Sequence, residues 1–148
     1  MELTFREAER DDLERIVELI ADDAVAATRT GTYGAAHVAG FEAVAASPDN
    51  ELVVAESDGA VIGVMQLTFI PGISRNGASR LLVEAVRVDR ALRGQGIGRL
   101  MMEHAHERGR ARGCVLAQLT SDKQRPDAHR FYRNLGYEQS HEGFKLPL

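Results

Sequence analysis

A single cysteine, Cys114, stands in 148 residues. One thiol cannot build an intrachain disulfide framework, and the count fits a reducing compartment. A basic excess is missing too: 18 Lys and Arg stand against 22 Asp and Glu, for a net charge of -4. Nothing therefore drives the counterion release on which nonspecific nucleic-acid binding rests, although the arginines from Arg87 to Arg99 form a local basic run. No apolar run approaches the ~20 residues of a membrane span, and Met1-Glu-Leu-Thr-Phe-Arg6 contains no signal-type apolar segment. A metal-ligand set is also absent. His104 and His106 are two apart on a helix pattern and face different sides, while His37, His129 and His141 are scattered. No repeat, low-complexity segment or linker interrupts the chain. The expectation is one cytoplasmic domain over residues 1–148, with no metal, no nucleic acid and no membrane as partners.

What is present has a clear order. Leu3 to Arg6 reads as a strand. Asp11 or Asp12 caps a helix with Leu13, Ile16, Val17, Ile20 and Ala24 at the helical period. Ala21 to Gly34 reads as a helix end and loop, and Ala35 to Ala46 as a second helix. Leu52 to Ala55 and Val61 to Ile70 are strands joined by an Asp58-Gly59 hairpin turn. Ser79 to Val88 is a third strand of that meander. A helix from Ile97 to Arg112 follows, with Leu100, Met101, His104, Ala105 and Arg108 on its inner side, and Gly113 ends it. Cys114 to Leu119 should run parallel to the strand ending at Val88. Pro126-Asp127 opens a last helix, and Tyr137 to Leu146 reads as one or two final strands. The fold expected is α/β (α+β): a single mixed, mostly antiparallel sheet with helices on both faces.

The chemistry centres on Val83 to Met102, which passes from strand through Gly94, Gly96 and Gly98 into a helix. Glycines let N–H groups approach an oxyanion, and a helix N-terminus favours negative charge. A Rossmann fingerprint would need glycine where Arg99 stands, and a P-loop would need Lys-Ser or Lys-Thr after the last glycine. Both fail. Arg93-x-x-Gly96-x-Gly98 resembles instead the pyrophosphate signature of the GNAT superfamily of acetyl-CoA-dependent N-acetyltransferases. Ala128-His-Arg-Phe-Tyr-Arg-Asn-Leu-Gly-Tyr137 is similar to the same family's late motif, and Leu3-Thr-Phe-Arg-Glu-Ala8 to its opening.

The resemblance implies acetyl-CoA as cosubstrate and acetyl transfer to a primary amine of a small molecule or peptide, by direct attack in a ternary complex. The alternative is a non-catalytic acyl-CoA-binding regulatory module of the same fold. The N–H groups of Gly94, Gln95, Gly96, Ile97, Gly98 and Arg99 would take the pyrophosphate, helped by the Arg93 and Arg99 side chains. The backbone of Val86, Arg87 and Val88 would take the acetyl and pantetheine groups, in the gap where their strand leaves its parallel neighbour. Ala128 belongs to the late motif and Phe131 to packing or to the pantetheine arm. Arg125 stands where many relatives have an asparagine on that arm; it and Lys123 could reach CoA phosphates or substrate, or be solvated.

An ammonium acceptor must lose a proton before it attacks. Glu84, on the same face as Val86 if the strand is regular, is the candidate base, with a solvated strand carboxylate as the other reading. Tyr132 matches the family's tyrosine beside the CoA sulfur and is the candidate acid for the leaving thiolate. Cys114 reads as a buried apolar residue rather than an acetyl carrier, and Ser121 has no paired base. The acceptor side would be built from Ala21 to Ala46 and Phe69 to Arg80, where Asp22 and Asp23 could attract a cationic amine. A homodimer meeting through the C-terminal strands is also implied.

Overall fold

The computed structural model describes residues 2–148. Five strands form one sheet in the order β1-β2-β3-β4-β5: β1 (Thr4–Glu7), β2 (Asn50–Ser57), β3 (Ala60–Ile70), β4 (Ser79–Val88) and β5 (Cys114–Gln118). Neighbours are antiparallel except β4 and β5, which are parallel. Helices α1 (Leu13–Ile20), α2 (Ala24–Thr30) and α3 (Ala35–Ala46) precede β2; α4 (Ile97–Ala111) links β4 to β5; α5 (Pro126–Asn134) follows β5. The mixed α/β sheet is therefore the one expected, with a β4-α4-β5 crossover.

Alternation along the strands divides the core into two layers. Val53, Ala55, Met65, Leu67, Phe69, Leu81 and Val83 pack with Ile97, Met101, Met102 and Ala105 of α4. Val54 and Val64 point the other way, onto Leu13, Ile16 and Leu19 of α1. Two glycines set the distance of α4 from the sheet. A Cβ on Gly63 would lie 2.8 Å from Met101 Sδ, and one on Gly109 would lie 3.0 Å from Leu81 Cδ2. Side chains there would force Met101 or Leu81 out of place and loosen the packing of α4 on the sheet.

Several boundaries differ from the expectation. The segment after Ile20 is not a helix end: Asp23 caps a separate helix, α2, accepting from the Ala26 N–H at 2.7 Å. Ala24 thus begins α2 rather than continuing α1. The buried stripe of α4 is also rotated. Met102 is buried and Leu100 is 44% exposed, while Arg108 stays on the sheet side, paired with Glu51 of β2 at 2.6 Å. The anticipated strands between Tyr137 and Leu146 are absent; no strand follows α5. Phe144, Leu146 and Leu148 alternate as a strand would, but an isolated alternating segment gains nothing without a ladder partner, and none of the described residues supplies one.

Candidate active site

The site is built where β4 loses its neighbour. The parallel ladder joins only Ser79–Leu82 of β4 to β5. From Val83 to Val88, β4 is paired with β3 alone, so its other edge is open. A β-bulge marks the change. Gln66 stands opposite Glu84, while Val64 already stands opposite Arg87, so β4 holds one residue more than β3 between these pairs. Ala85 takes up the excess with φ 53°, a left-handed conformation costing a non-glycine residue about 1–2 kcal/mol. Bulges re-aim the side chains that follow them. Here Val83 and Val86 both pack into the α4 layer. Glu84 and Arg87 lie on the opposite face, in register with Gln66 and Val64. The expectation that Glu84 and Val86 share a face, made for a regular strand, is thereby overturned.

The glycine turn lies directly beyond. A 3-10 turn at Arg90–Leu92, capped by Asp89 accepting from the Ala91 N–H at 2.9 Å, leads into it. Gly94 and Gly96 have φ 80° and 82°, values that L side chains resist. Gly98 has a different reason. A Cβ there would meet Phe131 Cζ at 3.3 Å, so its bare backbone lets α5 approach α4. Among the bonds of turns and caps, no N–H between Gly94 and Arg99 is a donor; the first is Leu100 N–H, to Gly96 O at 3.3 Å. Gln95 and Arg99 are exposed and Ile97 is buried beneath the turn. The result is a row of free backbone donors at the N-terminus of a fifteen-residue helix.

Tyr132 comes from α5 and packs on the α4 layer of the core. Its ring meets Phe131 and Tyr137 edge-on, at centroid distances of 5.1 and 6.0 Å. The Tyr137 hydroxyl and His106 Nε2 share a 2.7 Å hydrogen bond, whereas the Tyr132 hydroxyl hydrogen-bonds no other side chain or backbone group among the described residues. Burial raises the Tyr132 pKa, and the positive charges of Arg87 and Arg125 act against the rise. Tyr132 is thus a protonated donor at neutral pH. Ala128 is half-buried one turn before it on α5. Glu84 is exposed on the α1 side of β4. Burial raises the Cys114 pKa, which keeps a thiol rather than the thiolate an acetyl carrier needs.

Of the two readings open for the acids of the α1–α2 junction, a helix cap or an attraction for a cationic amine, Asp23 takes the first, at the N-cap of α2. The charges of both acids are already met from within the chain. Asp22 pairs with Arg93 and, at 3.5 Å, with Arg87 Nε, and its carbonyl accepts from Arg90. Asp23 accepts from Arg125 at 3.0 Å. These pairs join residues up to 102 positions apart, and only their composition hints at them in sequence. His37 caps rather than binds: its Nδ1 accepts from the Gly34 N–H at 3.2 Å.

The profile of the acetyltransferase (GNAT) family matches residues 8–137. The chain is 34% identical over 109 residues to the aminoalkylphosphonate N-acetyltransferase of Salmonella typhimurium, covering 74% of this chain and 70% of that one. It is 31% identical over 91 residues to the glucosamine 6-phosphate N-acetyltransferase of Trypanosoma brucei brucei, covering 61% of this chain and 59% of that one. A Bacillus halodurans crystal structure described as a transcriptional regulator superposes with a TM-score of 0.95 at 42% identity, over 99% of this chain and 100% of that one. With its sheet, glycine turn and α5 motif in place, the chain belongs to the GNAT acetyltransferase family.

Proposed function

We propose that the protein transfers the acetyl group of acetyl-CoA to a primary amine of a small molecule or peptide, by direct attack in a ternary complex. The observation that carries this reading is the unpaired edge of β4 from Val83 to Val88, adjoining the free donors of Gly94 to Arg99. Backbone at the edge would receive the amides of the pantetheine arm as a pseudo-strand, through Val86, Arg87 and Val88. The glycine turn would receive the pyrophosphate, with Arg93 and Arg99 beside it. Arg93 is paired with Asp22 and also donates to Val88 O at 3.4 Å, so it spans both halves of the cosubstrate's path.

Glu84, facing the α1–α2 side, would take the ammonium proton directly or through water. Attack on the thioester carbonyl gives a tetrahedral oxyanion, and its collapse breaks the carbon–sulfur bond. Tyr132, a protonated hydroxyl without an internal partner, would donate to the departing sulfur. Two of the relatives act on small-molecule amines, which supports such an acceptor here.

The description of the Bacillus halodurans relative as a regulator supports a second reading, an acyl-CoA-binding module without turnover. Isothermal titration with acetyl-CoA, run beside a CoA-thiol release assay over a panel of amines, separates the two. Acetyl transfer requires both binding and amine-dependent release. Binding without release on any amine selects the module, and no binding defeats both.

A further inference from the structure

We propose that the acceptor amine carries an oxyanion group, such as a phosphonate, and that Arg87 and Arg125 receive it at the α1–α2 junction. The inference rests on the acetyl transfer proposed above and adds the chemistry of the acceptor.

The bulge at Ala85 decides which ligand Arg87 serves. It turns Arg87 onto the α1 face of the sheet, the face of Glu84 and opposite the one on which α4 carries the glycine turn. On that face Glu84 and Arg87 are successive residues, so a candidate base and a cation lie side by side. Arg87 is largely buried, at 17% side-chain exposure. One Nη1 hydrogen goes to Val86 O at 2.9 Å. Its Nε is buried with no hydrogen bond, and so is the nearest carboxylate oxygen, Asp22 Oδ1, 3.5 Å away. A buried guanidinium N–H left without an acceptor is costly and retains donor capacity for a charged oxygen.

Arg125 approaches from the start of α5, and among the described residues its side chain is held by Asp23 alone, at 3.0 Å. Asp22 and Asp23 are adjacent in the chain, so their pairing with Arg87 and Arg125 brings the two cations together at the α1–α2 junction. The wider cluster does not neutralise itself. Three guanidinium groups, of Arg87, Arg93 and Arg125, meet the two carboxylates of Asp22 and Asp23, and a fourth, of Arg90, donates to the Asp22 carbonyl. In a chain with net charge -4 this is a local positive surplus, and it disfavours polycationic acceptors while favouring anionic ones. The pyrophosphate of the cosubstrate is served by the glycine N–H groups, Arg93 and Arg99. Arg87 and Arg125 remain for a second oxyanion, with Asp22 and Asp23 as the internal carboxylates it would displace.

The test uses the full chain with acetyl-CoA and a matched pair of amines, aminoethylphosphonate and propylamine, which differ in the acidic group. Thiol release should give a kcat/KM at least about tenfold higher for the phosphonate, the size of one or more charged hydrogen bonds. Arg125→Gln and Arg87→Lys should each cut that ratio by about tenfold, mostly through KM, with the acetyl-CoA Kd changed less than about threefold. Asp23→Asn keeps an N-cap side chain for α2 but removes the competing charge, and should raise the ratio. Titration of aminoethylphosphonate into protein saturated with CoA reads the same subsite without turnover, and its heat should vanish in Arg125→Gln. Equal kcat/KM for the two amines in the wild type would overturn the inference and leave acetyl transfer standing. So would loss of acetyl-CoA affinity in step with the ratio, which would make the arginines CoA-phosphate ligands. No heat with acetyl-CoA and no thiol release from either amine would overturn the acetyl-transfer reading, and the acceptor subsite with it.

Discussion

Between Arg80 and Leu82, β4 has a strand on each side; between Val83 and Val88 it has β3 alone. The first half holds Leu81, 1% exposed and packed under Gly109 of α4. The second half holds the bulge at Ala85, two valine carbonyls engaged by arginine side chains, and Glu84 in solvent. One strand thus provides anchorage in one half and exposed backbone in the other. The anchored half fixes where the strand lies, so the open half can present unpaired groups without collapsing onto β5.

The largest effect that would sharpen this contrast is on stability. Leu81→Ala should cost about 2–5 kcal/mol in urea unfolding, because it removes a fully buried side chain beneath a closely packed helix. The folded fraction should bind acetyl-CoA as before. In the open half, on the proposed chemistry, the loss should be kinetic. Tyr132→Phe should lower kcat about 100-fold with little change in KM for acetyl-CoA. Its unfolding free energy should move by less than about 1 kcal/mol, since the hydroxyl has no internal hydrogen bond to lose. An unchanged kcat would remove Tyr132 from the acid role.

Ala85→Gly should be neutral or stabilising by up to about 1 kcal/mol, because glycine adopts φ 53° without the Cβ penalty. A substantial loss of stability would mean that the bulge is held by the Ala85 side chain rather than by register. The smallest effect is on pH dependence. Asp89, lowered first by the Ala91 N–H and then by Arg15, sits at the end of the open half. Asp12, lowered chiefly by Arg6, sits far from it. Depressed carboxylates stabilise the fold above their unfolded pKa, and that contribution is lost as pH falls through the lower folded value. Melting temperature should therefore fall below about pH 4. Asp12→Asn should flatten that limb without touching acetyl-CoA binding, while Asp89→Asn should also weaken the approach to the glycine turn.

How much of this was legible in the chain follows from distance along it. The glycine turn, the α5 motif, the Asp58-Gly59 hairpin and the limits of β4 rest on neighbouring residues, and each appears where its spacing put it. Asp58 and Gly59 both have positive φ, as that hairpin requires. The bulge left a trace that a regular strand obscures. Val83 and Val86 are three apart, and a two-residue period cannot place both in one layer. The pairing of Asp22 with Arg87 and Arg93, and of Asp23 with Arg125, had no such trace, because it joins segments that only the folded sheet brings together. The absent C-terminal strands show the converse: Phe144, Leu146 and Leu148 alternate locally, but a strand is made by its partner.

Amide hydrogen exchange of the full chain, with and without saturating acetyl-CoA, tests the division of β4 most directly. Added protection is expected at Val86 to Val88 and at Gly94 to Arg99, with no change at Arg80 to Leu82, which the ladders on both sides already protect. Uniform protection along β4, or protection confined to segments outside the open edge and the glycine turn, would contradict the account.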